Sequence, residues 1–199
     1  DEYMFLRQVK EKLYGMYIKN YETQLLTLDD NKKLRVYKDF KKEFSLESYL
    51  LNLPSVTYIQ CIARLRLSSH NLKIELGRHT KPKLSITDRI CVRCEMGVVD
   101  DEPHFLIQCS AFTEVRNDLF KQAQSLLPNL FDMNIQDKFI AIMSCKDPSI
   151  LFALGKFIHK CLPKYSCTSK YTQGKISLTQ CNPVLFAKDL IYYIIRCYE

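Results

Sequence analysis

Glycine is scarce in this sequence, with five residues in 199, while leucine, isoleucine, lysine and tyrosine are common. This composition argues against a turn-rich β fold and favours helices. No apolar run reaches the roughly 18 residues that a membrane-spanning helix needs, so we expect no membrane partner. Hydrophobic residues make up 47% of the chain, which argues against a disordered segment. The sequence therefore predicts a mostly α protein with a packed core.

The sequence also lacks a recognisable catalytic constellation. It contains no Ser-His-Asp or Cys-His pattern that predicts a nucleophile and its base. The pair Asp29-Asp30 invites comparison with the metal-binding aspartates of polymerases, but Thr27-Leu28 precedes it instead of a Tyr-x pair. A helix N-cap explains these two aspartates better than catalysis does. We therefore expect a non-catalytic chain.

The chain has nine cysteines, and we expect no signal peptide, because the sequence at Asp1-Glu2 is helix-like. Nine is an odd number, which does not suit a complete disulfide framework. We expect an intracellular setting, nuclear or cytoplasmic, in which thiols stay reduced. Six cysteines are expected to be mostly buried core thiols: Cys61, Cys145, Cys161, Cys167, Cys181 and Cys197.

Three cysteines and a histidine have the spacing of a zinc site, C-x2-C-x9-H-x4-C: Cys91, Cys94, His104 and Cys109. Structural zinc takes four Cys or His ligands, commonly as one close pair and one more distant pair. Gly97 supplies a positive φ for the return of the chain, and a helix starting near Pro103 brings His104 towards Cys109. A closed set of four ligands predicts one structural Zn2+ rather than a catalytic one. The alternative is three buried thiols and a surface histidine.

Two further features near this motif have more than one interpretation. Glu102 either stabilises the start of the helix or orients His104 from behind. A second metal site is conceivable at His159, Cys161, Cys167 and Cys181, but its spacing is irregular, and ordinary thiols are the default interpretation.

Positive charge is concentrated before and within the zinc motif. Between Cys61 and Cys94, eight basic residues stand against two acidic ones. Such clustering is expected where a protein meets phosphates, although a solvated helix face is the alternative. Pro82 keeps Lys81 and Lys83 in a loop, and exposed aromatics such as Tyr58 or Phe105 are candidates for base stacking. The candidate nucleic-acid contacts are Arg64, Arg66, Lys73, Arg78, Lys81, Lys83, Arg89 and Arg93.

Hydrophobic periodicity predicts nine helices, at 3–17, 32–44, 46–51, 55–67, 70–76, 112–126, 135–143, 148–161 and 183–198. We divide the chain into an N-terminal helical segment, 1–54, and a segment of basic helices and zinc knuckle, 55–130. The metal loop, 89–116, lies in the second segment and is called the knuckle below. A C-terminal helical segment, 131–199, contains a polar loop at 163–182. The predicted fold is a helical domain built around a small CCHC-type knuckle.

The combined pattern resembles a known family. It comprises Arg64-Leu-Arg66 through Gly77-Arg78, Arg89-Ile-Cys91-Val-Arg-Cys94, Asp101-Glu102-Pro-His104 through Cys109, then Phe112 and Arg116. Over roughly residues 56 to 120 it is similar to the C-terminal zinc-binding region of non-LTR (LINE-type) retrotransposon endonuclease/reverse transcriptases. The resemblance implies that the CCHC residues hold zinc and that Arg64, Arg66, Arg78 and Arg89 contact nucleic acid.

In that family the region follows the polymerase and is thought to help bind element RNA or target DNA during target-primed reverse transcription. The polymerase Tyr-x-Asp-Asp is absent here, and so is the Pro-Asp motif of the nuclease found in some elements. The resemblance thus implies an accessory part whose partners are RNA or DNA and the upstream reverse transcriptase domain. The alternative is a zinc-stabilised helical scaffold that docks on another protein through its apolar final helix.

Overall fold

The computed structural model describes residues 2–26, 34–41 and 45–162. Predictions on Asp29-Asp30, the polar loop 163–182, the final helix, and Cys167, Cys181 and Cys197 lie outside these residues. Eight α-helices form the described part: α1 (Glu2–Leu26), α2 (Tyr37–Phe40), α3 (Ser48–Asn52), α4 (Val56–Arg66), α5 (Lys73–Leu76), α6 (Thr113–Leu126), α7 (Ile135–Ser144) and α8 (Pro148–Cys161). The mostly α fold is as the composition predicts.

Three of these helices have a side chain that caps their N-terminus. The Ser55 hydroxyl accepts a hydrogen bond from the Tyr58 N–H, and the Asn134 side chain accepts one from the Asp137 N–H. Asp147 accepts from Ser149 and Ile150 ahead of α8, where Pro148 is suited to the first helical turn. The predicted starts at Ser55 and at Asp147-Pro148 are confirmed.

The core lies between α4, α6 and α8. Ile62 and Leu65 of α4, Leu119 of α6 and Leu154 of α8 are fully buried. Each such side chain contributes about 1.5–3 kcal/mol when removed from water. One apolar cluster extends from Val36 to Leu162, so the knuckle sits on a core to which all three predicted segments contribute.

Two predicted helices are shorter than the sequence indicates. The helix predicted at 70–76 begins only at Lys73, because the His70 side chain turns inward to Glu102 and the Lys73 N–H is bound by Asp100. Of the helix predicted at 32–44, the described residues form only Tyr37–Phe40.

Helix α1 is longer than the predicted 3–17, and its apolar side chains face solvent. Phe5 is 64% exposed and Met16 is 62% exposed. In the described part of the chain, no helix has the combined length and apolarity that spanning a membrane requires.

Candidate metal centre and basic surface

The first two ligands of the knuckle come from a small hairpin. Ile90 and Val99 form an antiparallel bridge, and the Cys91 N–H donates to the Val98 carbonyl at 2.9 Å. Gly97 turns the chain between them with φ at +66°, as the sequence predicts. The hairpin therefore places the Cys91 and Cys94 thiols close to each other.

The second two ligands come from an unusual helical turn. The helix that was predicted near Pro103 is a π-helix, His104–Gln108, in which the Cys109 N–H donates to the His104 carbonyl at 2.8 Å. In an α-helix, residues five apart differ in direction by about 140°. The wider i→i+5 turn reduces that angle, so His104 and Cys109 face the same point.

The four predicted ligand residues meet in one cluster. Their Sγ and ring nitrogen atoms all lie within 4.8 Å of one another. The sulfurs of Cys91 and Cys109 are 3.9 Å apart, and Cys94 Sγ lies 3.4 Å from His104 Nε2. Tetrahedral zinc with bonds of about 2.3 Å to sulfur requires sulfur–sulfur separations of about 3.8 Å. The cluster therefore has the donors and the spacing to hold a metal ion.

The same distances exclude a disulfide within the cluster. The six described cysteines are all free thiols, and 3.9 Å is far beyond an S–S bond of about 2.05 Å. In the described part of the chain, no other group of three or more Cys, His, Asp or Glu residues is arranged to hold a metal. The second site considered at His159, Cys161, Cys167 and Cys181 is not tested, because its last two residues lie outside the described part of the chain.

Local environment moves the pKa of these ligands in different directions. Burial, together with the charge of Cys91, raises the pKa of Cys109 to about 12. Burial also opposes ionisation of Cys94, but hydrogen bonds from the Met96 backbone and from the neighbouring thiols outweigh it and lower that pKa. Burial lowers the pKa of His104, which favours the neutral imidazole that a metal requires.

Asp100 ties the knuckle to α5 and to Arg93. Its carboxylate accepts hydrogen bonds from the Lys73 N–H at 2.8 Å and from Arg93 at 2.7 Å, and it is fully buried. Its carbonyl accepts from the Ile74 N–H at 3.1 Å. Arg93 Nη1 also lies 4.0 Å from the Cys91 sulfur. Arg93, one of the predicted nucleic-acid residues, is thus half-buried and engaged within the knuckle.

Glu102 lies at the start of the helical turn, where its carboxylate accepts a hydrogen bond from its own backbone N–H, but it does not contact His104, so the interpretation that it orients His104 was wrong. Asp101 accepts from the His104 N–H at 2.8 Å and caps the same turn. Glu102 is fully buried, and its carboxylate contacts the side chains of Arg35, Ser68 and His70. Sequence reasoning missed these three partners because nothing local relates them to Glu102.

Two of the predicted nucleic-acid contacts are buried. Arg66 is 4% exposed and donates to the Met143 carbonyl and to Glu47 at 2.6 and 2.9 Å. Arg89 is also 4% exposed and donates to the Ile74 and Leu84 carbonyls at 2.7 and 2.9 Å. Both Nη groups of each arginine donate to acceptors inside the protein, so neither guanidinium lies on the exposed basic surface.

Arg89 instead contacts the two residues that flank the predicted basic loop, Gly77 and Leu84. A Cβ atom on Gly77 would lie 2.6 Å from Arg89 Cγ, so the arginine side chain packs directly on this glycine. The Leu84 N–H donates to the Gly77 carbonyl and to the Thr80 hydroxyl, which closes the loop on itself. We call residues 78–83 the basic loop.

The basic loop presents its lysines to solvent. Lys81 and Lys83 are exposed, as is His79, which sequence reasoning did not single out. Arg78 is half-buried and pairs with Glu75 at 3.0 Å. The remaining two predicted residues are half-buried: Lys73 at the start of α5, and Arg64, which donates to the Ser69 carbonyl at 3.2 Å.

The aromatic residues that were predicted to stack on bases are not freely exposed. Phe105 is fully buried against Phe112 and Phe157, so the expectation that it is exposed was wrong. Tyr58 is half-buried and packs edge-on against Phe152, with a ring centroid distance of 5.2 Å. Neither ring therefore offers an open face on which a base could stack.

Comparisons with family models, curated proteins and solved structures give no match for this chain. The fold and the metal-ligand cluster define a mostly helical protein with a candidate CCHC metal centre.

Proposed function

We propose that this chain is a non-catalytic zinc module that binds nucleic acid through the basic loop. The observation that carries the proposal is the pairing of a complete set of four metal donors with a neighbouring loop of exposed lysines. Soft thiolate and imidazole donors in a closed tetrahedral set favour zinc over magnesium or calcium, which prefer oxygen.

In this proposal the metal acts on the structure of the module. Cys91, Cys94, His104 and Cys109 would hold the ion, which contributes folding energy and no chemistry. Asp100 connects the knuckle to α5, and Arg89 connects it to the basic loop through the Leu84 carbonyl. A rigid knuckle would therefore keep Lys81 and Lys83 at one place on the surface.

The proposed nucleic-acid contacts are with the phosphate backbone. Within the described residues, the ammonium groups of Lys81 and Lys83 make no hydrogen bond or ion pair. They can therefore bind a phosphate without breaking an internal contact. Arg78 and Lys73 flank the loop, whereas Arg66 and Arg89 do not take part. Contacts of this kind release counterions and carry little sequence information.

The resemblance to non-LTR reverse transcriptases suggests where such a module would operate. We propose that it is the accessory part that follows a reverse transcriptase domain and contacts RNA template or target DNA. Its partners would then be the nucleic acid and the upstream polymerase domain, and its place in the cell would be nuclear, cytoplasmic or both.

The second candidate function is a zinc-stabilised scaffold for another protein. The exposed apolar side chains of α1 favour it, because Phe5, Leu6 and Met16 are each about 60% exposed. In this case the metal would stabilise the helical domain, and the lysines of the basic loop would be ordinary solvent-exposed charges without a ligand.

Fluorescence anisotropy of the zinc-loaded protein separates the two candidates. Labelled single-stranded RNA, single-stranded DNA and duplex DNA are each titrated at several salt concentrations. The double variant Lys81→Gln/Lys83→Gln is compared with Lys121→Gln/Lys160→Gln, which removes two exposed lysines from α6 and α8.

A backbone-binding module predicts that log Kd depends steeply on log salt and that the loop variant reduces this slope by about one per lysine. The control variant should retain the wild-type slope. Absence of binding at low salt, or equal losses in both variants, would reject the basic loop as the nucleic-acid site and favour the scaffold.

A further inference from the structure

A polar cleft lies on the side of the core formed by α2, α3, the end of α4 and the residues that link α7 to α8. It has a volume of about 220 Å³, enough for roughly seven water molecules of about 30 Å³ each. Its lining includes Lys41, Glu47, Tyr49, Arg66 and Lys146. None of these residues is a metal ligand or belongs to the basic loop.

Positive charge in this cleft exceeds negative charge. Among the described residues, Lys41, Arg66 and Lys146 stand against one carboxylate of the lining, that of Glu47. Glu47 is shared between two buried cations, with Lys41 Nζ at 3.2 Å and Arg66 Nη2 at 2.9 Å. Lys41 and Arg66 are 7% and 4% exposed. Burying charge that is not fully paired is costly, and a bound anion would offset that cost.

Arg66 has an unused donor at this site. Its Nη1 and Nη2 groups donate to the Met143 carbonyl and to Glu47, but its buried Nε finds no acceptor among the described residues. The guanidinium carbon lies 4.3 Å from the centre of the Phe40 ring, which fixes its plane. A buried N–H without an acceptor is unfavourable. Water in the cleft or an oxygen of a bound anion would satisfy this donor.

Lys146 and Tyr49 add to this anion-binding character. Lys146 is exposed on the link between α7 and α8, where its ammonium group would meet an incoming anion. Burial raises the pKa of Tyr49 to about 12, so its phenol remains a neutral donor at pH 7.

We infer that the cleft is a binding site for a phosphate group, held by Arg66 and Lys146. A phosphate offers several acceptor oxygens and up to two negative charges, which suits an excess of positive charge and a free guanidinium N–H. The phosphate belongs either to free inorganic phosphate or to the terminal phosphate of an oligonucleotide. The inference stands apart from the basic loop and does not depend on zinc.

The first test uses the full chain and inorganic phosphate. The Arg66 Nε–H resonance is followed by 15N-edited NMR during titration with phosphate, and with chloride at matched ionic strength; Arg66→Lys assigns the resonance. We expect a saturable shift with phosphate alone. Lys146→Gln, an exposed substitution that should leave the fold intact, should weaken phosphate binding about two- to fivefold. Lys121→Gln should not change it.

The second test distinguishes the two sources of phosphate. A short oligonucleotide with a 5′-phosphate is compared with the same oligonucleotide carrying a 5′-hydroxyl. Tighter binding of the phosphorylated form, lost in Lys146→Gln but kept in Lys81→Gln/Lys83→Gln, would support a terminal phosphate. A shift with inorganic phosphate and none with either oligonucleotide would support the free ion.

Phosphate and chloride effects of equal size would overturn the inference. Arg66 would then be a purely structural arginine that joins α4 to Glu47 and Met143. Because these readouts do not involve the basic loop, their failure is distinct from failure of the proposed nucleic-acid interface.

Discussion

His70 Nε2 lies 2.8 Å from Glu102 Oε1, and both side chains are fully buried. The contact joins the segment after α4 to the residue two positions before a predicted zinc ligand. Arg35 and the Ser68 hydroxyl donate to the same carboxylate. Glu102 therefore connects three parts of the chain behind the knuckle.

We predict that Glu102→Ala lowers the free energy of unfolding by about 3–5 kcal/mol, because it leaves the buried His70 without its carboxylate partner and removes one of the two carboxylates that pair with Arg35. Urea denaturation of the zinc-loaded protein measures the change. Glu114→Ala, an exposed substitution on α6, serves as the control and should stay within about 0.5 kcal/mol of wild type. A loss of the same small size for both variants would show that the buried network contributes little.

We predict that Cys94→Ser, or treatment of the wild type with a chelator, lowers the melting temperature by roughly 5–10 °C, since metal binding contributes directly to folding. Mass spectrometry for metals should find about one zinc per wild-type chain and less in the variant. Cys145→Ser, outside the cluster, should keep the full zinc content. A wild type without zinc, whose melting temperature a chelator does not change, would contradict the prediction.

Two glycines on different helices should respond in opposite ways to alanine. A Cβ on Gly155 would lie 2.5 Å from Tyr58 Cβ, where α8 crosses α4, whereas a Cβ on Gly15 of α1 would meet nothing within 4 Å. We predict that Gly155→Ala destabilises the core by about 1–3 kcal/mol through overpacking. Gly15→Ala should raise the helicity measured by circular dichroism, because alanine is favoured by about 1 kcal/mol in a helix. If neither variant lowered the free energy of unfolding, α8 and α4 would be less tightly packed at Gly155 than the 2.5 Å separation indicates.

Ionisation of Tyr49 is predicted to lower the stability of the protein at alkaline pH. Burial raises its pKa from 10.0 to about 12, opposed by Arg66. The neutral phenol therefore contributes stability that is complete below pH 10 and is lost as the pH rises from 10 to 12. A shift of that size corresponds to about 2–3 kcal/mol.

Unfolding free energies at pH 8, 10, 11 and 12 would test this expectation. Tyr49→Phe should make the alkaline decline smaller, leaving the part due to Tyr37, whose pKa burial also raises, and Tyr17→Phe, on the exposed surface of α1, should not change it. The chain has no tryptophan, so absorbance at 295 nm follows tyrosinate formation directly. Parallel declines in wild type and Tyr49→Phe would contradict the prediction.

The sequence by itself determined the elements whose causes are local. Helix type follows from apolar spacing and from caps such as Ser55 and Asp147, and the hairpin turn follows from Gly97. The ligand set follows from spacing as well, because Cys91 and Cys94 belong to one tight turn and His104 and Cys109 to the next. The structure brings these four residues together as the motif predicts.

Only the tertiary structure decided the roles of the charged residues. Arg66 and Arg89 belong to the same cluster of basic residues as Lys81 and Lys83, yet the two arginines are buried and the lysines are exposed. Their acceptors lie on other segments, such as Met143 for Arg66, 77 positions along the chain. Whether a cation faces solvent depends on which distant acceptors the packed core places beside it, and no local pattern in the sequence contains that information.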